Sequence, residues 1–244
     1  MNKLPKIISP CPIIEAITEI RFSSTLPSDA IFGILYAKVL NDFKKPERQP
    51  VMQIPEQIRN QDPNLMYQTH YSLISKDELL RFNIGPRAFV ISNVNKYIGW
   101  EKYFYFIKNL FDKINDSQVV EFPERIGFRY INFFKDILVL DKINLIIELC
   151  QDDILNNHVE LVTTKDDEKF KRVLKIGNNI TMKLANKYYN GSFIDIDYIY
   201  SFKELKKTPI KRMLEIIEEA HEKEKITFFT LLKEEFLRTL NPEY

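Results

Sequence analysis

The chain has 244 residues, 45% of them apolar, and its 35 Lys and Arg side chains face 34 Asp and Glu for a formal net charge of +1. That balance excludes a disordered chain, which needs fewer apolar residues and more net charge, and a bulk polyanion binder, which needs a basic excess. Cys11 and Cys150 are too few for a disulfide framework and form no C-x-x-C pair, so both are expected as small buried hydrophobes. Pro5, Pro10 and Pro12 leave no apolar signal segment, and the richest apolar run, Ile137 to Cys150, is broken by Asp141 and Lys142. The expectation is a cytoplasmic protein without membrane association.

In chain order, Pro12 to Phe22 alternates with period two. Ile14, Ala16, Thr18, Ile20 and Phe22 lie on one side and Glu15, Glu19 and Arg21 on the other, which predicts a strand with one apolar face. Ser28 as N-cap, then Phe32, Leu35, Val39 and Phe43 at helical spacing, predicts a helix. Val51 to Ile54, Leu65 to Ile74, Leu79 to Ile84 and Ala88 to Val94 read as short strands between turn residues. Trp100, Phe104, Ile107, Phe111 and Ile114 form the stripe of an amphipathic helix.

Arg125 to Phe134 opens a second half as another alternating strand, with Arg125 and Arg129 opposite Ile126, Phe128 and Tyr130. Leu145 to Cys150, Val159 to Thr163, Val173 to Ile176, Ile180 to Tyr188 and Phe193 to Tyr200 follow as strands, the last two joined by a tight turn at Asn190-Gly191. Thr208 and Pro209 begin a long terminal helix that bends near Phe228, where its apolar register shifts. The fold class is therefore α+β. Two fused, similarly ordered halves, residues 1–118 and 119–244, share a largely antiparallel sheet with helices on one face and pack as one compact unit. Each half runs strand, helix, meander of strands, helix, the second without its first helix, and this order points to an internal duplication.

If the two leading strands lie side by side, Glu15 and Glu19 face Arg125 and Arg129 as ion pairs between the halves, because charges on a partly covered sheet face are costly unless paired. The same face, through Arg21, Arg125 and Arg129, is the candidate site for a small anion. For catalysis the signals are few. No Gly-x-Ser-x-Gly, Gly-x-Gly-x-x-Gly or Walker pattern occurs. Asp195 and Asp197 share one side of a strand at about 6.5 to 7 Å. With His221 or Glu222 they form the alternative of a Mg²⁺- or Mn²⁺-dependent phosphodiesterase or nuclease. The favoured reading makes them the solvated side of a strand whose Ile194, Ile196, Tyr198 and Tyr200 face the core. His70 and His158 read as surface or capping histidines. Lys203, Lys206, Lys207, Lys211 and Arg212 make the most basic stretch and, with Tyr188, Tyr189 and Tyr198, the nucleic-acid alternative.

Pro12-Ile-Ile-Glu-Ala-Ile-Thr-Glu-Ile-Arg-Phe22, Tyr97-Ile-Gly-Trp100, Arg125-Ile-Gly-Phe-Arg-Tyr-Ile-Asn132, Phe193-Ile-Asp-Ile-Asp197 and Ala220-His221 occur in that order along nearly the whole chain. Together they resemble a sporadically distributed, uncharacterised family of bacterial and archaeal proteins of about this length. Ala220 departs from the larger apolar residue usual before the histidine. The resemblance implies a cytoplasmic protein without an assigned activity. The patchy distribution suggests a role in defence or as a toxin-neutralising partner. The combined expectation leans away from an enzyme and assigns no cofactor and no metal. It is a non-catalytic accessory, regulatory or neutralising subunit that binds another protein or a second copy of itself, with abundant aromatics, 13% of the chain, available as anchors.

Overall fold

The computed structural model describes residues 4–150, 154–184, 186–204 and 206–244. The elements run β1 (Ile13–Ser23), α1 (Ser28–Val39), β2 (Glu47–Arg48), α2 (Glu56–Gln61), β3 (Tyr71–Ile74), β4 (Leu80–Ile84), β5 (Ala88–Val94) and α3 (Trp100–Ile114). Then follow β6 (Phe122–Lys135), β7 (Val159–Asp167), β8 (Phe170–Leu184), β9 (Lys187–Ser201), α4 (Ile210–Leu231) and α5 (Glu234–Thr239). The protein is α+β, with a large antiparallel sheet of nine strands in the order β2-β3-β4-β5-β1-β6-β9-β8-β7. The two alternating strands β1 and β6 are neighbours at its centre. Among the described residues no helix is long and apolar enough to cross a membrane.

The chain divides into two compact units. One comprises Ala16–Phe128 and Ile199–Glu219; the other comprises Met1–Glu15, Arg129–Tyr198 and Ala220–Tyr244. In the first, period two on β1 sends Ala16, Thr18, Ile20 and Phe22 into the core, all fully buried. The helix packed there is α3, but its stripe is rotated from the expected one: Tyr103, Ile107, Leu110, Phe111 and Ile114 are buried, whereas Trp100 and Phe104 are only half-buried. Tyr103 explains the rotation. Its hydroxyl donates to the Ile91 carbonyl at 2.8 Å and meets Thr18 Oγ1 at 3.2 Å, so a large aromatic is buried with its polar end satisfied. Phe22, Phe82, Phe89 and Phe111 complete this core with ring centroids 5.7 to 5.8 Å apart. Gly99, at φ 87°, turns the chain into α3 where a side chain would be strained.

In the second unit, Tyr130 and Phe134 of β6 and Ile194, Ile196 and Tyr198 of β9 are buried, and Phe134 packs on Phe228 and Phe236 from α4 and α5. Asn178 ties two loops to β8. Its Oδ1 accepts from the Val139 N–H at 2.9 Å and its Nδ2 donates to the Leu155 carbonyl at 2.9 Å. β7 and β8 form a long hairpin, paired from Val159↔Asn178 to Asp167↔Phe170.

Several local expectations are corrected. Residues 50–53 form a 3-10 turn rather than a strand, and Pro55 precedes the unanticipated α2; Pro50 lacks the N–H a strand ladder requires. Only Tyr71–Ile74 of the stretch expected from Leu65 is a strand. Leu145 to Cys150 forms no strand, and Ile146 is 91% exposed. The neighbouring residues are held elsewhere, Ile143 bridging to Leu232 and the Asn144 N–H donating to the Leu231 carbonyl at 2.7 Å. Val173 to Ile176 and Ile180 to Leu184 belong to one continuous strand, β8. The β8–β9 turn falls at residues 185–186, with Asn186 at φ 65° and residue 185 outside the described residues. Asn190 is instead inside β9, its carbonyl accepting from the Asp136 N–H and its side chain from Thr181 Oγ1, each at 2.8 Å. The terminal helix breaks after Leu231 rather than at Phe228, with the Lys233 N–H donating to the Lys142 carbonyl. Both cysteines are exposed, not buried.

Candidate functional site

Asp195 and Arg129 form a buried-carboxylate ion pair in the second unit. Arg129 Nε donates to Asp195 Oδ1 at 2.6 Å and its second terminal nitrogen to Oδ2 at 2.5 Å, a two-point match of planar groups. Asp195 is 4% exposed, so the solvated strand face expected for it is wrong. The reason is its partner: the Arg129 guanidinium from the neighbouring β6 lies across the carboxylate at two points. Burial opposes the guanidinium charge of Arg129. The hydrogen bonds and charge of Asp195, with Asp197 and Glu15 nearby, more than offset it and raise the pKa above its ordinary value. Glu15 thus lies within electrostatic reach of Arg129, while the closest partner of Arg129 is Asp195.

His221 does not join this pair. Its Nδ1 lies 3.3 Å from the Tyr130 hydroxyl, and Tyr130 projects from β6 on the side opposite to Arg129. Asp195 therefore faces Arg129 on one side of β6, while His221 of α4 packs against Tyr130 on the other. His221 is 6% exposed; burial, and then the charge of Lys225, lower its pKa to about 3, so it is neutral at ordinary pH. Its Nε2 lies 3.8 Å from Glu222. Among the described residues no group of three or more His, Cys, Asp or Glu is placed to hold a metal ion.

In the first unit Glu19 pairs with Arg21 along β1, rather than across to Arg125. The Arg21 guanidinium also lies over the Tyr67 ring at 4.4 Å, and the Tyr67 hydroxyl donates to Glu124 at 2.7 Å. That hydrogen bond, then burial, raises the tyrosine pKa. Arg125 is half-buried on β6, on the same side as Arg129 by period two. The basic stretch is partly neutralised: Lys206 pairs with Glu204 at 3.0 Å and Arg212 with Glu215 at 3.2 Å, while Lys203, Lys207 and Lys211 are exposed. Of the tyrosines, Tyr198 is core, whereas Tyr188 is 72% exposed with Lys183 over its ring.

Sequence reasoning missed a cavity of about 210 Å³ in the first unit, between the start of α1, the 3-10 turn, α2, the start of β3 and the β4–β5 turn. Arg59 of α2 donates from Nη1 to His70 Nε2 at 2.9 Å and touches Met52 Sδ at 3.3 Å. Arg59 Nε is buried without an acceptor among the described residues. Burial, then the Arg59 charge, lower the His70 pKa to about 4, so the ring is a neutral acceptor and not the surface histidine expected. The backbone fixes that ring. The His70 N–H donates to the Ile84 carbonyl and the His70 carbonyl accepts from Gln49, both at 2.8 Å. Gly85 allows the β4–β5 turn to approach so closely, since a Cβ there would lie 2.5 Å from the Gln68 carbonyl oxygen. Phe32 stacks on Tyr71 with centroids 3.8 Å apart and forms an aromatic wall. No sequence motif marks this site, because Arg59 and His70 meet only when α2 folds back on β3.

At the end of the sheet order, β7 spans nine residues without proline, and Glu160 and Val162 through Asp166 are exposed. Val162 is 64% exposed. Compared with protein-family models, curated proteins and solved structures, the chain matches none.

Proposed function

We propose that this is a non-catalytic intracellular recognition protein, a regulatory or neutralising subunit that binds another protein by accepting an extended segment along β7. The observation that carries the reading is the long exposed strand at the end of the sheet. Edge strands present a row of unused backbone donors and acceptors, and stable proteins usually shorten, bend or charge them. β7 is nine residues long, and its centre, Leu161 to Thr164, carries no charge. Addition of a strand there would supply main-chain hydrogen bonds, with alternate side chains setting specificity. Glu160 and Asp166 share a side with Val162 at either end of that neutral centre. The partner segment that fits is apolar at its middle and basic at its flanks. The commitment of Asp195 to Arg129 supports recognition over catalysis, because that carboxylate is already paired with a half-buried cation.

The peptide Lys-Thr-Val-Thr-Val-Thr-Lys is a direct probe. Saturable binding with slowed hydrogen exchange at the β7 amides, lost in Val162→Lys, is the expected result. Unchanged β7 exchange at saturating peptide, or pairing of β7 only with a second copy in light scattering, would overturn the reading.

A further inference from the structure

The cavity beside Arg59 lies in the 16–128 unit and is independent of β7. Three features define its chemistry. Arg59 is a half-buried cation that, among the described residues, has no carboxylate within ion-pairing distance; its closest polar neighbour is an uncharged imidazole. A guanidinium removed from water without an anion is costly, and it binds carboxylates in a planar two-point geometry. Next, Asp29 and Glu56 stand exposed at the rim, neither ion-paired among the described residues. They would repel a polyanion such as a nucleotide but attract an ammonium group. Finally, Phe32, Tyr71, Met52 and Ile84 give the cavity an apolar side, while Ser28 and Asn60 add polar lining. The volume, about 210 Å³, lies below the roughly 300 to 1,000 Å³ of drug-sized ligand sites and suits a small molecule.

We infer that this cavity binds a small zwitterion of the α-amino-acid class, with the carboxylate on Arg59, the ammonium toward Asp29 and Glu56, and an apolar side chain against Phe32, Tyr71 and Met52. Each group on the ligand has a complement already in place. The Arg59 terminal nitrogen not used by His70 is the donor that a carboxylate oxygen would meet, while Nε is enclosed by protein atoms. His70 orients the guanidinium and is a positioning residue, not a contact to the ligand.

The test is calorimetric titration and thermal shift of the full chain with each of the twenty amino acids, 4-methylpentanoate and 3-methylbutylamine. Leucine or methionine is expected to bind saturably and raise the melting temperature. The carboxylate alone and the amine alone are expected to bind at least about tenfold more weakly, the loss of one charge-assisted interaction. Arg59→Gln should abolish the shift. The exposed double substitution Asp29→Asn, Glu56→Gln, which does not touch the core, should weaken amino-acid binding about tenfold and leave 4-methylpentanoate unchanged. Failure of all twenty amino acids to bind would sink the inference. So would 4-methylpentanoate binding as tightly as leucine, or an affinity indifferent to the rim substitutions.

Discussion

Arg129 and Arg59 are both half-buried guanidinium groups held by side chains from another element, and they differ in what they meet. Arg129 meets a carboxylate that is almost wholly buried and aligned with it at two points. Arg59 meets an imidazole that its own charge helps to keep neutral, and beyond that a cavity. The first charge is closed within the protein. The second is open to a ligand. Charged residues that look equivalent in a sequence therefore divide by whether folding supplies the counter-ion, and only the open kind has electrostatic energy left for binding.

The comparison breaks most sharply at Asp195. Asp195→Ala should leave Arg129 without its partner and cost about 3 kcal/mol by urea denaturation, the low end for a buried pair because the guanidinium side chain is 34% exposed. A loss below about 1 kcal/mol would place this pair with ordinary surface ion pairs.

Glu224 tests the same distinction with an acid. It is 2% exposed, its Oε1 has no hydrogen-bond partner among the described residues, and burial raises its pKa well above the ordinary 4.5. A raised carboxyl favours the protonated folded state. Its contribution to stability is complete below about 4.5 and is lost as pH rises through the folded value. Glu224→Leu should flatten that decline and add about 1 to 3 kcal/mol at neutral pH by removing an unsatisfied buried group. Stability measured from pH 4 to 9 in both proteins checks the direction; parallel curves would contradict it.

The smallest effect is expected at Arg59. With no counter-ion lost, Arg59→Gln should change stability by about 1 kcal/mol or less in the absence of ligand. The same substitution should raise the His70 pKa from about 4 toward its ordinary 6.5, though not fully, because burial is the larger cause and remains. The stability contributed by neutral His70, present above 6.5 and lost toward about 4 in the native protein, would then be lost nearer 6.5. Imidazole chemical shifts followed from pH 3 to 8 give the value directly.

Alternation was legible wherever a strand had one buried and one half-covered face. That is why β1 and β6, and the odd-numbered charges on them, could be read from the residues. It misled at β9, where Arg129 of the neighbouring strand covers Asp195 and period two cannot tell a solvated carboxylate from a paired one. It also misled at Leu145 to Cys150, where an apolar composition suited to a strand found no strand to pair with. The Asn190-Gly191 turn failed because local turn chemistry was overridden by pairing on either side of β9.

The amino-acid order by itself determined the α+β class and the two central strands, because short-range periodicity is enough to choose an element, although the buried side of α3 turned on Tyr103. Tertiary structure alone decided which ions found partners. Asp195 lies 66 residues from Arg129, and His70 meets Arg59 around a cavity that no local pattern announces. A charge reveals its role only through its surroundings, since the energy of an ion depends on the dielectric and the opposite charges that distant segments bring to it.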